Sequence, residues 1–236
     1  MKAVLLAAGK GTRLHVLTSV VPKPMLPIGG RPLIDRNLSL LAESGVDEVF
    51  VNLHHQAEAV TAYCGRGERW GLKITYAFEP QLLGTAGAVR NFGRALGGGP
   101  FFVVYGDNYF DCEFPALWRA HGERSGIATL ALFERDDVAG SGIVTLVADR
   151  VVGFVEKPAA AETSSRLVNG GLYVLSSSIL SLIPDTVPCD FGYDVFPRLL
   201  RDGRPIYGRV MEGSVWGVDT PELYRELRAR IGSGPA

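Results

Sequence analysis

Lys2-Ala-Val-Leu-Leu-Ala-Ala-Gly-Lys-Gly-Thr-Arg13, followed by Pro22-Lys-Pro-Met-Leu-Pro27, opens the chain with a short apolar strand, a glycine turn carrying an arginine, and a lysine framed by prolines. An apolar strand feeding a glycine turn is how α/β proteins bring backbone N–H groups up to a phosphate. Gly9 and Gly11 lack a Cβ, so the main chain there can approach a ligand closely. Arg13 follows with a planar, five-donor cation suited to gripping phosphate oxygens in pairs, and Thr12 adds a hydroxyl. Pro22 and Pro24 stiffen the backbone around Lys23, so its ammonium is a positioned charge. The turn is not the dinucleotide fingerprint, because Leu14 stands where G-x-G-x-x-G needs its last glycine. Nor is it a P-loop, because no Gly-Lys-Ser/Thr ends it.

Outward from this stretch, strand-like and helix-like runs alternate, which predicts parallel βαβ units with right-handed crossovers. Strands are predicted over Ala3–Leu6, Glu48–Leu53, Lys73–Phe78 and Phe101–Tyr105. Leu33, Ile34, Leu38 and Leu41 recur at helical spacing before Gly45, a helix with a glycine C-cap. Further helices are predicted over Gln56–Tyr63, Ala86–Leu96 and Phe114–Arg124. The second half reads as more β-rich, with strands over Ile127–Phe133, Gly142–Val147, Val151–Val155 and Leu167–Leu175. Two amphipathic segments, Asp194–Leu200 and Pro221–Ile231, close the pattern. A small-residue loop over 158–165 and a mobile tail over 232–236 complete the expectation. No connector is long enough to be a domain linker.

Composition narrows the function classes. Of 236 residues, 47% are hydrophobic and 21% charged, with a formal net charge of −1, as in a globular domain rather than a disordered or nucleic-acid-binding one. No apolar run approaches the roughly 18 residues of a membrane span. The apolar run Ala3–Ala8 is too short for a signal peptide, so a cytoplasmic protein is expected. Cys64, Cys112 and Cys189 are odd in number and in no metal-ligand spacing, which predicts reduced thiols and no zinc site. The histidines form no triad, and His54-His55 read as surface or satisfied residues. A dinucleotide-dependent dehydrogenase would place an acidic residue at the end of the second strand, where Val51-Asn-Leu-His-His55 has none.

Residues 4–34 resemble the signature of the sugar-1-phosphate nucleotidyltransferases. The stretch runs from Val4-Leu-Leu-Ala-Ala-Gly-Lys-Gly-Thr-Arg-Leu14 through Pro22-Lys-Pro-Met-Leu-Pro-Ile-Gly-Gly-Arg-Pro-Leu-Ile34. Further matches continue almost to the C-terminus. The resemblance implies an α/β, Rossmann-like nucleotidyltransferase core, with a mostly parallel sheet, helices on both faces and a smaller β-rich sugar-binding portion. One domain over 1–236 is expected, with an NTP-binding half over about 1–125 and a sugar-phosphate half over about 126–231. The implied reaction transfers a nucleoside monophosphate from an NTP to a sugar 1-phosphate with release of pyrophosphate.

The same resemblance assigns residues. Ala7, Ala8, Gly9, Gly11, Thr12 and Arg13 would hold the NTP, with Arg13 and Lys23 as catalytic cations. Gly84, Thr85 and Gly87 of Leu83-Gly-Thr-Ala-Gly-Ala88 would lie against the nucleobase, their helix N-terminus facing a crevice, with Gln81 reading base edges. Asp107, in Tyr105-Gly-Asp107, would bind Mg²⁺. Glu156 and Lys157 would meet the sugar hydroxyls and sugar phosphate, and Asn169, in Asn169-Gly-Gly-Leu-Tyr173, the sugar or ribose. Asp111 reads as solvent-facing or as a helix cap. Trp216-Gly-Val-Asp-Thr-Pro-Glu222 departs from the family's Trp-x-Asp-x-Gly-Thr-Pro: Gly217 stands where the second metal-binding aspartate belongs, and Asp219 where the glycine belongs. A two-residue shift along a strand keeps a side chain on one face, so Asp219 is expected to reach the metal. GTP and a mannose- or heptose-type sugar 1-phosphate are favoured, with UTP, CTP or dTTP as alternatives. A non-catalytic nucleotide-sugar regulator is the alternative of another class. No nucleic acid or membrane partner is expected, and homo-oligomerisation is left open.

Overall fold

The computed structural model describes residues 1–9, 11–14, 21–158 and 164–232. Most of the predicted small-residue loop (159–163) and of the predicted tail (233–236) lie outside the described residues. The chain forms two compact units, one of Met1–Gln81, Val104–Asp111 and Val215–Ala236, the other of Leu82–Val103 and Cys112–Ser214.

In the first unit, β1 (Lys2–Leu6), β4 (Glu48–Leu53) and β5 (Lys73–Phe78) pair in parallel in the order β5-β4-β1, with Lys2 opposite Glu48 and Glu48 opposite Lys73. β1 and β4 are apolar runs because residues on both their faces are buried. The helix α1 (Leu33–Glu43) buries Leu33, Ile34, Leu38 and Leu41 completely, and Gly45, at φ +80°, closes it in the left-handed region as its C-cap position requires. The hairpin β2 (Pro27–Ile28) and β3 (Arg31–Pro32) turns through Gly29 and Gly30, both at positive φ. The strand β6 (Phe101–Tyr105) ends in this unit, and β7 (Asn108–Asp111) pairs with β13 (Ser214–Gly217).

One apolar cluster positions the candidate site. Leu14, Leu26, Ile28, Leu33, Val218, Tyr224 and Leu227 pack together, the last two from the helix Pro221–Gly232. Leu14 directly follows Arg13, Leu26 stands three residues after Lys23, and Val218 directly precedes Asp219. Burying these apolar side chains, at about 1.5–3 kcal/mol each, therefore also fixes where three charged side chains start. Tyr224 adds a hydrogen bond from its hydroxyl to the Pro27 carbonyl at 2.8 Å.

In the second unit the order is β11-β8-β12-β10-β9, from β8 (Ala128–Glu134), β9 (Gly142–Val147), β10 (Arg150–Glu156), β11 (Leu167–Leu175) and β12 (Ile206–Val210). Among these strands β12 pairs with β8 in parallel, while β11 with β8, β10 with β12 and β10 with β9 are antiparallel. The predominantly parallel pattern thus belongs to the first unit. Tyr173, Phe191, Phe196 and Phe154 form an aromatic core with ring centroids 5.1–5.6 Å apart.

Three expectations are corrected in detail. The helix predicted over Ala86–Leu96 breaks into Thr85–Asn91 and Gly93–Leu96, because Phe92 at ψ 3° leaves the helical region ahead of Gly93. The segment Asp194–Leu200 becomes a π-helical turn, Phe191–Val195, running into Phe196–Arg201, with Val195 N–H donating to the Asp190 carbonyl at 3.2 Å. The strand β12 was not anticipated, since Ile206-Tyr-Gly-Arg-Val210 is short and interrupted by a glycine. A Cβ at Gly208 would stand 2.6 Å from Leu132 and 2.8 Å from Leu146.

Candidate active site

Lys23 is the centre of the first unit's polar cluster. Its side chain is 4% exposed, and its Nζ donates to Asp107 Oδ2 at 2.7 Å and to Asp219 Oδ1 at 2.8 Å. Arg13 Nη2 reaches the same Asp219 oxygen at 3.1 Å. Burial pulls against the charged form of Lys23, but the two carboxylates outweigh it and raise its pKa above the ordinary lysine value. Asp107 follows β6, which delivers it to the C-terminal edge of the sheet. Asp219 arrives differently from the expectation: β13 ends at Gly217, and Asp219 sits two residues beyond the strand, where Val218 N–H bonds to the Asp107 carbonyl at 3.1 Å. A Cβ on Gly217 would lie 3.1 Å from Asp219 Oδ2, so the carboxylate fills the space a side chain at 217 would occupy. Asp111 is exposed at the end of β7; the following helix has Glu113 at its N-cap, without a side-chain cap bond.

The glycine turn leaves β1 with its backbone tied down. Ala7 N–H donates to Asn52 Oδ1, and Gly106 N–H to the Leu6 carbonyl, each at 2.8 Å. A Cβ at Gly9 would meet nothing within 4 Å, so open space borders the turn there. Gly11, at φ +61°, starts the short 3₁₀ turn Thr12–Leu14, from which Arg13 extends with 65% of its side chain exposed. The hydroxyl of Thr12 lies outside the described side chains. Gln81 is exposed. His54 is satisfied, its Nδ1 bonding the Glu79 carbonyl at 2.7 Å, while His55 is exposed and His15 lies outside the described residues.

In the second unit, the Gly84-Thr-Ala-Gly87 segment packs on Cys189 and Asp190. Gly84 has φ +79°, and a Cβ there would fall 2.4–2.7 Å from the Cys189 backbone, so no side chain can stand at 84 without moving that strand of chain. The amides of Ala86 and Gly87 donate to the Cys189 carbonyl at 2.9 and 3.0 Å. Thr85 donates to Asp190 Oδ1 through both its N–H, at 2.9 Å, and its hydroxyl, at 3.0 Å. This corrects the expectation that the helix's first donors face a ligand: an internal carboxylate and carbonyl satisfy them. Asp190 had no signature in the sequence.

Glu156 ends β10 and is enclosed. A Cβ at Gly142 would stand 2.6 Å from its Oε2 and 3.4 Å from Asn169 Cβ, and a Cβ at Gly192 would also strike the carboxylate. Glu156 and Asn169 therefore flank one glycine. Asn169 Nδ2 donates to the Tyr173 hydroxyl at 2.8 Å, and its Oδ1 accepts the Gly171 N–H at 3.2 Å. Lys157 sits at φ +48°, a region that non-glycine residues enter rarely, with Nζ 3.8 Å from Glu156 Oε1. Desolvation raises the Glu156 pKa, with Asp190 adding to it and Lys157 opposing. A raised folded-state value means Glu156 contributes stability that is full below the unfolded value near 4.5 and lost as pH rises through the folded one. Glu156→Gln is therefore expected to melt above the wild type near neutral pH, with the gain vanishing on acidification. Thermal melts across that range check this, and a pH-independent difference would contradict it.

The carboxylates of Asp107 and Asp219 converge on one cationic atom, the geometry that two oxygen ligands of a hard divalent ion need. Among the described residues no group of three or more His, Cys, Asp or Glu side chains is placed to hold a metal. The pair of carboxylates suits a magnesium ion, which takes one or two carboxylates and fills its shell with water and phosphate oxygens. Among the described residues, no helix is long and apolar enough to cross a membrane. Cys64, Cys112 and Cys189 are thiols outside any disulfide, and burial pushes Cys64 up to about 12.

The sequence profile of the nucleotidyl transferase family matches residues 2–223. A UTP–glucose-1-phosphate uridylyltransferase from Synechocystis sp. is 34% identical over 229 residues, covering 90% of this chain and 58% of the relative. A mannose-1-phosphate guanylyltransferase from Mycobacterium tuberculosis is 36% identical over 223 residues, covering 93% of this chain and 61% of the relative. The chain thus spans about three fifths of the length of these curated relatives. The fold is shared with a Bacillus anthracis protein described as a glucose-1-phosphate thymidylyltransferase, at a TM-score of 0.89 and 23% identity over 100% of this chain and 97% of the other. With residues 2–223 matched, from the first strand through Thr220-Pro221, the chain belongs to the nucleotidyl transferase family.

Proposed function

We propose that the chain, acting over 1–236 as one nucleotidyltransferase domain, transfers a nucleoside monophosphate from an NTP to a sugar 1-phosphate. The observation that carries this is the convergence of Arg13, Lys23, Asp107 and Asp219: two cations suited to a triphosphate beside two carboxylates suited to a divalent ion. A phosphate oxygen of the sugar attacks the α-phosphorus in line, the bond to the β-phosphate oxygen breaks, and pyrophosphate leaves with its electron pair. No enzyme nucleophile is required, so the protein acts by positioning and charge stabilisation. The turn Ala7–Gly11, with Thr12, receives the triphosphate closely, and Arg13 and Lys23 stabilise the charge that builds on the leaving pyrophosphate. Gly84, Thr85 and Gly87, with Gln81, border the nucleobase; their role is close approach, since the helix donors are already paired. Glu156 accepts from sugar hydroxyls, Lys157 meets the sugar phosphate, and Asn169 bonds the sugar or ribose. Magnesium held by Asp107 and Asp219 would supply charge neutralisation at the α-phosphate and the attacking phosphate.

GTP with a mannose-type sugar 1-phosphate is the favoured pair, supported by the 36% identity to a guanylyltransferase. The uridylyltransferase relative at 34% makes UTP with glucose 1-phosphate the second reading. The deciding experiment measures pyrophosphate release with Mg²⁺ for GTP, UTP, CTP and dTTP against mannose, heptose and glucose 1-phosphates. The favoured pair is expected to give the highest kcat/KM. Release with no pair would remove the enzymatic reading.

A further inference from the structure

The turn that the proposed function places against the triphosphate is held by a side-chain relay that the reaction itself does not use. Asn52 is the penultimate residue of β4 and Glu79 directly follows β5; the two residues are 4% and 2% exposed. Asn52 Oδ1 accepts the Ala7 N–H at 2.8 Å, and Asn52 Nδ2 donates to Glu79 Oε1 at 2.8 Å. The Glu79 main chain is fixed in turn, its N–H donating to the Leu53 carbonyl and its carbonyl accepting from His54 Nδ1, both at 2.7 Å. On the other side of the turn, Gly106 N–H holds the Leu6 carbonyl, and a Cβ at Gly106 would stand 2.7 Å from that oxygen. The single Leu6–Ala7 peptide unit is thus gripped at both ends, its carbonyl by Gly106 and its amide by Asn52.

From this geometry we infer that Asn52, oriented by Glu79, is a positioning residue for the NTP. It sets the plane of the Leu6–Ala7 peptide and so the direction in which the following Ala8–Gly9 backbone is presented. Only an amide can fill the position as it stands, because one end must accept from a backbone N–H while the other donates to a carboxylate. Both groups are buried, so a mispaired polar atom there has no water to turn to, and the backbone must shift.

The relay makes a reciprocal test available, and it rests on the reading proposed above. Asn52→Asp sets two carboxylates against each other; the KM for the NTP is expected to rise about 10- to 100-fold, the scale of misplacing a binding element by about an ångström, with the KM for the sugar 1-phosphate within about twofold. Adding Glu79→Gln restores a donor facing an acceptor with the polarity reversed, and the double variant Asn52→Asp/Glu79→Gln is expected to recover the NTP KM to within a few-fold. Asn52→Ser, which brings no charge but is too short to bridge, is expected to raise the NTP KM and to gain nothing from Glu79→Gln. If Asn52→Asp alone does not fold, the double variant and Asn52→Ser still decide. A folded Asn52→Asp or Asn52→Ser with wild-type NTP KM, or a double variant that stays impaired, overturns the inference while an active wild type leaves the reaction assignment standing. A wild type inactive with every substrate pair removes both.

Discussion

Lys23→Met is expected to lower turnover about 10²- to 10³-fold, the scale set by losing one preorganised charge at a developing anion. Methionine keeps the length and apolar stem of lysine but not its ammonium, so the effect isolates the charge. The ammonium is held in place before any substrate arrives, by Asp107 at 2.7 Å and Asp219 at 2.8 Å. Its raised pKa keeps it protonated well past neutrality: the stability it contributes is full below the unfolded lysine value of 10.5 and is lost only as pH rises through the folded one. The substitution also leaves two carboxylates facing each other. Breaking a fully buried ion pair costs about 3–5 kcal/mol; here Asp107 and Asp219 are 35% and 37% exposed, so the loss is expected to be smaller. Mn²⁺ should then raise the melting temperature of nucleotide-free Lys23→Met more than that of the wild type, because the metal no longer competes with an ammonium for the same oxygens. Turnover within about threefold of wild type would remove Lys23 from the catalytic machinery.

Asp219→Gly is expected to lose turnover on the same scale, about 10²- to 10³-fold, because Lys23 and Arg13 share one of its oxygens and both lose it together. The informative comparison is the exchange Gly217→Asp/Asp219→Gly. A Cβ at 217 points at the present Asp219 carboxylate from 3.1 Å, so an aspartate there can deliver its own carboxylate to the vacated place. The exchange is expected to recover at least tenfold over Asp219→Gly in kcat. Gly217→Asp alone crowds two carboxylates into one space and is expected to impair. An exchange variant no better than Asp219→Gly would mean that the backbone at 217 cannot serve the site, and that the departure from the family pattern is more than a relocation.

Much of the fold was legible because the strands are bounded apolar runs. Glu48–Leu53 and Lys73–Phe78 are found where their β-branched and aromatic residues end in turn formers, and α1 stops at Gly45 as its left-handed cap demands. The short strands β7, β12 and β13 were not, since their pairing is decided by partners far along the chain and Gly208 breaks the local pattern. In the candidate site, Arg13, Lys23 and Asp107 could be picked out because a glycine turn, a proline frame and a strand end each constrain one side chain. Asp219 was named on a strand-periodicity argument, yet it reaches Lys23 from two residues beyond the end of β13. Asn52, Glu79 and Asp190 were not singled out. Each is one polar residue beside an apolar segment, and what makes it matter is a hydrogen bond to a backbone N–H 45 or 105 residues away, or to such a residue.

Lys23 lies 84 residues before Asp107 and 196 before Asp219. During synthesis the ammonium therefore waits 196 residues for its second partner, and the apolar cluster under it lacks Val218, Tyr224 and Leu227 until that later stretch is made. Contacts of such long range are the slowest to close, since their loop entropy is lost before they return any stability. The second unit, whose residues all lie upstream of Val215, has its chain complete earlier. Charge assembly at Lys23 thus follows synthesis of the second unit, and a nascent chain that stalls before Val215 lacks Asp219, one of the two carboxylates that hold the ammonium.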